Sequence, residues 1–403
     1  MPHGLSSLFT NLAEALDRRF GWDKLPRPLA ILTLIGLRNR LRERNLYDTG
    51  RGPLDRPDVS DHPRYRTART LDGTYNDLDD PLMGSLGSRF GRNVPLDATQ
   101  QEPHDALLEP SPRRVSRELL TREAFQPATT LNLLAGAWIQ FEVHDWFSHG
   151  KNEPDAPWEI PLDEGDDWPA SPMRIPRTRR DPSSSPTGPA TFVTDDTHWW
   201  DGSQIYGRTP EFADALRSHE HGKLRVDEHG LPPQDMEAHV DLTGVAGNFW
   251  VGLALLHSLF MREHNAVCDH LHAAHPELDD DALYDKARLV VAAVMAKIHT
   301  VDWTPAIIAH PTTVFALRTN WWGLEGAWLD KLIGRRTKNE VIRGIPGSDT
   351  NHHGVSYSLT EEFVAVYRMH PLIPDEFSVR SLVDDTTLQE RSLPELEIGR
   401  AHV

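Results

Sequence analysis

One cysteine, Cys268, is all that 403 residues contain, so no intrachain disulfide can form and a disulfide-stapled secreted design is excluded. Positive charge is in short supply as well. Lys and Arg number 42 against 60 Asp and Glu, a formal net charge of −18. Nucleic-acid binding is driven by neutralising phosphates, and this balance argues against it. Long apolar runs are missing too: the longest, Leu29 to Leu37, is far short of the ~20 residues a membrane-spanning helix needs. Met1 to Phe20 has no uninterrupted apolar core behind a basic segment and does not read as a signal peptide, so a cytoplasmic location is expected. Arg38, Arg40, Arg42 and Arg44 follow the apolar run, which reads as a buried helix end with a solvated basic tail. An interfacial helix in peripheral contact with a membrane is the second reading. Repeats and a clean linker are absent, so a single domain is expected.

What is present is unusual in kind: 21 His, 12 Trp and 31 Pro, many of the prolines in the first half. With few alternating β-branched runs, this composition predicts helices joined by long, irregular, ordered loops. The fold class is mainly α, with little β. Residues 46–128 read as loop, and 151–190 as an exposed excursion. Helices are predicted over about 130–149, 249–271 and 281–302, the last with acidic residues in its first turns. Ser358-Leu359-Thr360-Glu361 has the pattern of a capping box opening a short helix that ends at His370-Pro371.

Four places have the residue types for chemistry. Gln140 and His144 are four apart and share a helix face, while Asp145 is rotated by about 100° and points elsewhere. Such a histidine with an amide neighbour could hydrogen-bond a small ligand, or be an ordinary core histidine. Thr197, Trp199, Asp201 and Ser203 bear oxygens at alternate positions of a loop, a pattern that wraps a hard cation or simply makes a polar turn. His264 and Cys268 share a helical face, but His270, His272 and His275 lack the loop spacing of a structural zinc site. Tyr367 and His370 are one helical turn apart, His370 before a proline, where an imidazole could reach a metal or pack in the core.

In this order the segments resemble the animal haem peroxidase superfamily, which includes myeloperoxidase-like enzymes and cyclooxygenases, and they are most similar to its fatty-acid α-dioxygenases. The resemblance runs from about Gly21 to Asp375. It includes Arg69 to Asp77, Phe90 to Asn93, Trp199 to Gly207, Lys297 to Thr304 and Tyr357 to Pro374. It implies His370 as proximal ligand of haem b, His144 as distal histidine with Gln140 beside it, and Tyr367 as a radical-forming tyrosine. It implies calcium held by Asp145, Thr197, the Trp199 carbonyl, Asp201 and Ser203, and a fatty-acid carboxylate held by His299 and Thr304. Val143 stands where myeloperoxidase-like enzymes carry an esterified Asp, so the haem is expected to be non-covalent.

The implied activity is oxygenation of long-chain fatty acids at Cα by dioxygen, giving 2-hydroperoxy acids. The alternatives are a peroxidase that uses hydrogen peroxide to oxidise small donors and a non-catalytic haem-binding remnant. Family domains continue past the proximal helix, and a further substrate-anchoring arginine of the α-dioxygenases falls in that part. Glu397 to Val403 resembles a translated sequencing-library adapter. Residues 1–396 are therefore expected to be one domain, incomplete at its C-terminus, with 397–403 a non-native tail.

Overall fold

The computed structural model describes residues 3–44, 46–47, 49–50, 63–235, 240–245, 250–324, 338–351, 356–368 and 373–392. It is mainly helical. Helices α1 (His3–Phe20) and α2 (Arg27–Arg44) form a hairpin whose crossing is closest at Gly36, where an added Cβ would lie 2.3 Å from that of Ala13. One face of α2 is buried at Ala30 and Thr33, while Leu29 and Leu32 are exposed. The basic tail is more than solvated, which corrects the expectation. Arg38 reaches Glu340 at 2.7 Å, which fixes the hairpin to the body by charge, and Arg40 reaches Glu14 at 2.9 Å, which ties α2 to α1. Among the described residues no helix is long and apolar enough to cross a membrane.

The centre is built from α3 (Leu133–Trp146), α4 (Val251–Ala274) and α5 (Asp280–Lys297), which pack in that order. Helix α3 is shorter than the predicted 130–149. Asn132 caps it, its side chain accepting from the Leu134 N–H at 3.0 Å, and the chain turns extended at Phe147. Leu253, Leu256, Phe260, His264 and Cys268 recur at three and four residues along α4, so one face is inward while Leu255 and Leu259 stay exposed. Phe141 of α3 is fully buried and stacks on Phe260 at 5.3 Å. Asp279 caps α5 through the Ala282 N–H at 2.8 Å. The predicted continuation to residue 302 is a wider π-helical turn, Ile298–Trp303, which re-aims the side chains that follow.

Beyond the centre, α6 (Pro311–Trp322) has proline in its first turn, and α7 is Glu361–Val366. The cap of α7 is Thr360, which accepts from the Phe363 N–H at 3.2 Å, and not Ser358, whose hydroxyl donates to the Arg89 carbonyl at 2.8 Å. Two hydroxyls compete for one cap here, and Glu361 turns away to His149 at 3.0 Å. Among the described residues, regular β structure comprises three two-stranded antiparallel sheets: β1 (Glu153–Ile160) with β2 (Met173–Arg177), β3 (Gln234–Asp235) with β4 (Val240–Asp241), and β5 (Glu376–Arg380) with β6 (Thr387–Ser392). The first lies within the excursion expected at 151–190.

Several histidines are structural. His264 takes a hydrogen bond from the Tyr206 hydroxyl at 2.9 Å and donates to the Gly222 carbonyl at 2.9 Å. Cys268 points at the same carbonyl, and no group of three or more His, Cys, Asp or Glu converges on a metal among the described residues. His198 bonds the Trp146 carbonyl at 3.0 Å, and His257 packs on Phe141. All three are fully buried, and burial pushes their pKa values down, to about 4 for His264 and His198 and about 3 for His257.

The unfolded chain takes up these protons near the ordinary histidine value of ~6.5. Stability is therefore fully present above that pH and is lost as pH falls toward 4. One pH unit below 6.5, each buried histidine costs about 1.4 kcal/mol, roughly 4 kcal/mol for the three. Because the buried acids Glu142, Asp145 and Asp201 act in the opposite sense, the check is on the rings themselves. Their NMR signals in the folded protein are expected to remain those of neutral imidazoles between pH 7 and 5, and titration of these rings near ~6.5 would contradict their burial.

Candidate active site and cation loop

Helix α3 is buried around most of its circumference, so its few polar side chains are held out of water, some with partners and some without. The Gln140 carbonyl oxygen accepts from the Trp250 indole at 2.8 Å. His144, one turn on, has its Nδ1 out of solvent with no hydrogen-bond partner, and burial pushes its pKa down to about 4. It is a neutral imidazole at physiological pH. Gln140 and Val143 face Tyr367, Val364 and Ile373 across a cavity of about 70 Å³.

Tyr367 follows α7, with its ring stacked on Phe363 at 4.6 Å and its hydroxyl 3.3 Å from His299 Nε2. The second nitrogen of His299, Nδ1, lies 3.2 Å from the Trp138 indole nitrogen. An indole N–H can only donate, so Nδ1 accepts and the imidazole proton sits on Nε2. His299 therefore donates to the Tyr367 oxygen. Burial pushes the His299 pKa down to about 4, which keeps it neutral, and pushes the Tyr367 phenol up to about 12, with Glu142 adding to the rise. The π turn at Ile298–Trp303 aims His299 inward, and the Thr304 hydroxyl donates to the His299 carbonyl at 2.7 Å. His370 lies outside the described residues, as does the segment 397–403.

Glu142 was not legible as a site residue. It is fully buried, neither carboxylate oxygen has a hydrogen-bond partner, and burial drives its pKa far up, so it is a neutral acid. The one signal was an acid placed among Phe141, Val143 and Trp146 on a helix apolar nearly all round.

On the other side of α3, Asp145 does point away from His144. Its Oδ1 accepts from the Ser203 N–H at 2.6 Å, and its Oδ2 is buried with no hydrogen-bond partner. The Thr197 hydroxyl bonds Asp201 at 3.0 Å and lies 3.4 Å from the Trp199 carbonyl, while Asn76 reaches the second Asp201 oxygen at 3.2 Å. Both aspartates are fully buried, and burial raises their pKa values. Asp201 adds to the rise at Asp145, whereas the charges of Arg69 and Arg288 oppose the rise at Asp201. The five residues expected in this loop are thus brought together. Gly73 (φ +76°) closes against them, and a Cβ there would sit 2.7 Å from the Thr197 Cβ.

Residues 68–400 match the family model described as animal haem peroxidase. The chain belongs to the animal haem peroxidase family. Within it, the chain is 37% identical to Alpha-dioxygenase 1 of Capsicum annuum, covering 97% of this chain and 59% of that protein. It is 38% identical to Alpha-dioxygenase PIOX of Oryza sativa subsp. japonica, covering 96% and 62%. The fold superposes on the crystal structure of a Tyr-to-Phe variant of Oryza sativa fatty acid alpha-dioxygenase with palmitic acid. That match has a TM-score of 0.86 and 34% identity, and it covers 98% of this chain and 65% of that one. The chain spans about 60% of the length of the curated relatives it matches.

The residues present fit the family's cofactor. A neutral imidazole with an unused buried nitrogen, an amide and an apolar wall suit a non-covalent haem, and Val143 offers no carboxylate for an ester. His370 would hold it, with His144 and Gln140 beside it.

Proposed function

We propose that this chain carries the catalytic centre of a haem-dependent fatty-acid α-dioxygenase, acting on a long-chain fatty acid and dioxygen. The observation that carries this reading is the Tyr367 phenol, held by a neutral, donating His299 against an apolar cavity it shares with the His144 helix. Haem b, when bound, would supply the one-electron oxidation of Tyr367 at the expense of a peroxide.

Everything else falls to the chain. The neutral His144 can take and return a proton on the peroxide side. Before substrate arrives, His299 holds the phenol oxygen through Nε2–H, which fixes the ring. A fatty-acid carboxylate arriving here would take over two donors now used internally, the His299 Nε2–H and the Thr304 hydroxyl. That places Cα before the phenoxyl oxygen. The phenoxyl removes one hydrogen atom from Cα and becomes the phenol. Dioxygen adds to the carbon radical, and the resulting peroxyl takes the hydrogen back from Tyr367, giving the 2-hydroperoxy acid and restoring the phenoxyl.

Tyr367→Phe is expected to abolish oxygen uptake with palmitic acid while haem absorbance is unchanged. Normal uptake by this variant would end the radical role. No uptake by the wild type, alongside peroxide-driven dye oxidation, would favour a peroxidase instead.

The loop reading belongs to the same proposal: calcium bound by Asp145, Thr197, the Trp199 carbonyl, Asp201 and Ser203. Two buried carboxylates facing each other, one with an unused oxygen, suit a hard cation. Saturating calcium is expected to raise the Tm of the wild type by several degrees and to leave Asp201→Asn unmoved. Equal shifts in both proteins would remove calcium from this loop.

A further inference from the structure

Tyr367 does not stand alone among oxidisable rings. Its ring centroid is 5.9 Å from that of Trp146, and Trp146 is 4.8 Å from Trp200. The Trp200 side chain lies against the Tyr357 hydroxyl, and Tyr357 stacks on Trp199 at 4.1 Å with the planes 15° apart. The last pair lines a surface cleft of about 820 Å³ whose walls share no residue with the Tyr367 cavity. Four rings thus run from the half-buried Tyr367 phenol to an open cleft, each close to the next.

The inner member is suited to passing charge on. Trp146 is 4% exposed and its indole nitrogen has no hydrogen-bond partner, so an oxidised Trp146 has nowhere to put its proton and does not become a trap. Trp200, by contrast, lies against the polar Tyr357 hydroxyl.

We propose that Tyr367, Trp146, Trp200 and the Tyr357–Trp199 pair form a relay that carries an oxidising equivalent out of the buried site when no fatty acid is present. This rests on the reading of Tyr367 as the radical residue. The donor is a small phenol or enediol bound in the outer cleft, where Arg38, Arg42 and Asn76 stand beside the two rings. One electron leaves the donor and passes through Trp199–Tyr357, Trp200 and Trp146 to the Tyr367 phenoxyl. The phenoxyl oxygen gains a proton from water in the cavity against Tyr367, and the donor releases one to water in the cleft. The net change is one phenoxyl reduced to phenol and one donor molecule oxidised to its radical. The residues give the protein a second activity at a second site, which spares the buried aromatic cluster from self-oxidation.

The test is freeze-quench electron paramagnetic resonance on haem-loaded protein given hydrogen peroxide and ascorbate without fatty acid, with peptide mass spectrometry of the same samples. In the wild type, ascorbate is expected to quench the Tyr367 radical, and samples without ascorbate should carry oxygen adducts on Trp199 and Tyr357. Trp200→Phe keeps a packed ring but removes the oxidisable indole. It is expected to slow quenching by at least tenfold and to erase the adducts on the outer pair. Tyr357→Phe, which preserves the stack, should slow quenching more mildly and stands in if Trp200→Phe fails to fold. Quenching at wild-type rate in both variants, with adducts unchanged, overturns the relay while leaving the radical reading intact. Absence of any tyrosyl signal in a wild type that binds haem overturns both, and is told apart by that missing signal.

Discussion

The N–H of Ser203 bonded to the Asp145 carboxylate ties the centre of this molecule together. Asp145 lies on a helix with almost no solvent-facing side, so its carboxylate must find partners inside the protein. It finds them in the Thr197–Ser203 loop, and through Thr197, Asn76 and Gly73 the first hundred residues close on the same point. Once that edge of α3 is fixed, the 100° step of the helix fixes where its other side chains go. Gln140 and Val143 look across the cavity at Tyr367, and His144 falls between that face and Asp145.

The same burial sets the protonation of the site. With few charges nearby, desolvation dominates: His144 and His299 stay neutral, Glu142 stays protonated, and the Tyr367 phenol holds its proton well into alkaline conditions. A centre made of neutral hydrogen-bonding groups in an apolar wall suits radical chemistry, which moves hydrogen atoms and electrons and needs no charged intermediate on the protein. The Trp138–His299–Tyr367 chain is a sequence of single donors and single acceptors, so each proton position follows from the one before it.

Much of this was legible in the residues, because helical periodicity is a strong signal where burial is one-sided, as along Leu253, Leu256, Phe260 and His264. The opposed directions of His144 and Asp145 also follow from spacing alone. Other features leave no local mark. The π turn that swings His299 to Tyr367 has no sequence signature, and the contact joins residues 68 positions apart. The start of α7 was misplaced because Ser358 and Thr360 both offer a capping hydroxyl and only tertiary contact with Arg89 decides between them. Glu142 reads as an ordinary helix acid until its surroundings are known. The roles of the cation loop residues came from resemblance, and spacing alone allowed a polar turn there equally well.

The proposed function depends on one claim, that His370 would hold a haem with His144 and Gln140 beside it. The direct measurement is a titration of the folded protein with haem, followed by absorption spectroscopy. A sharp Soret band that saturates at one equivalent, and is lost in a folded His370→Ala variant, is the predicted result. A folded wild-type protein that develops no Soret band would contradict the account.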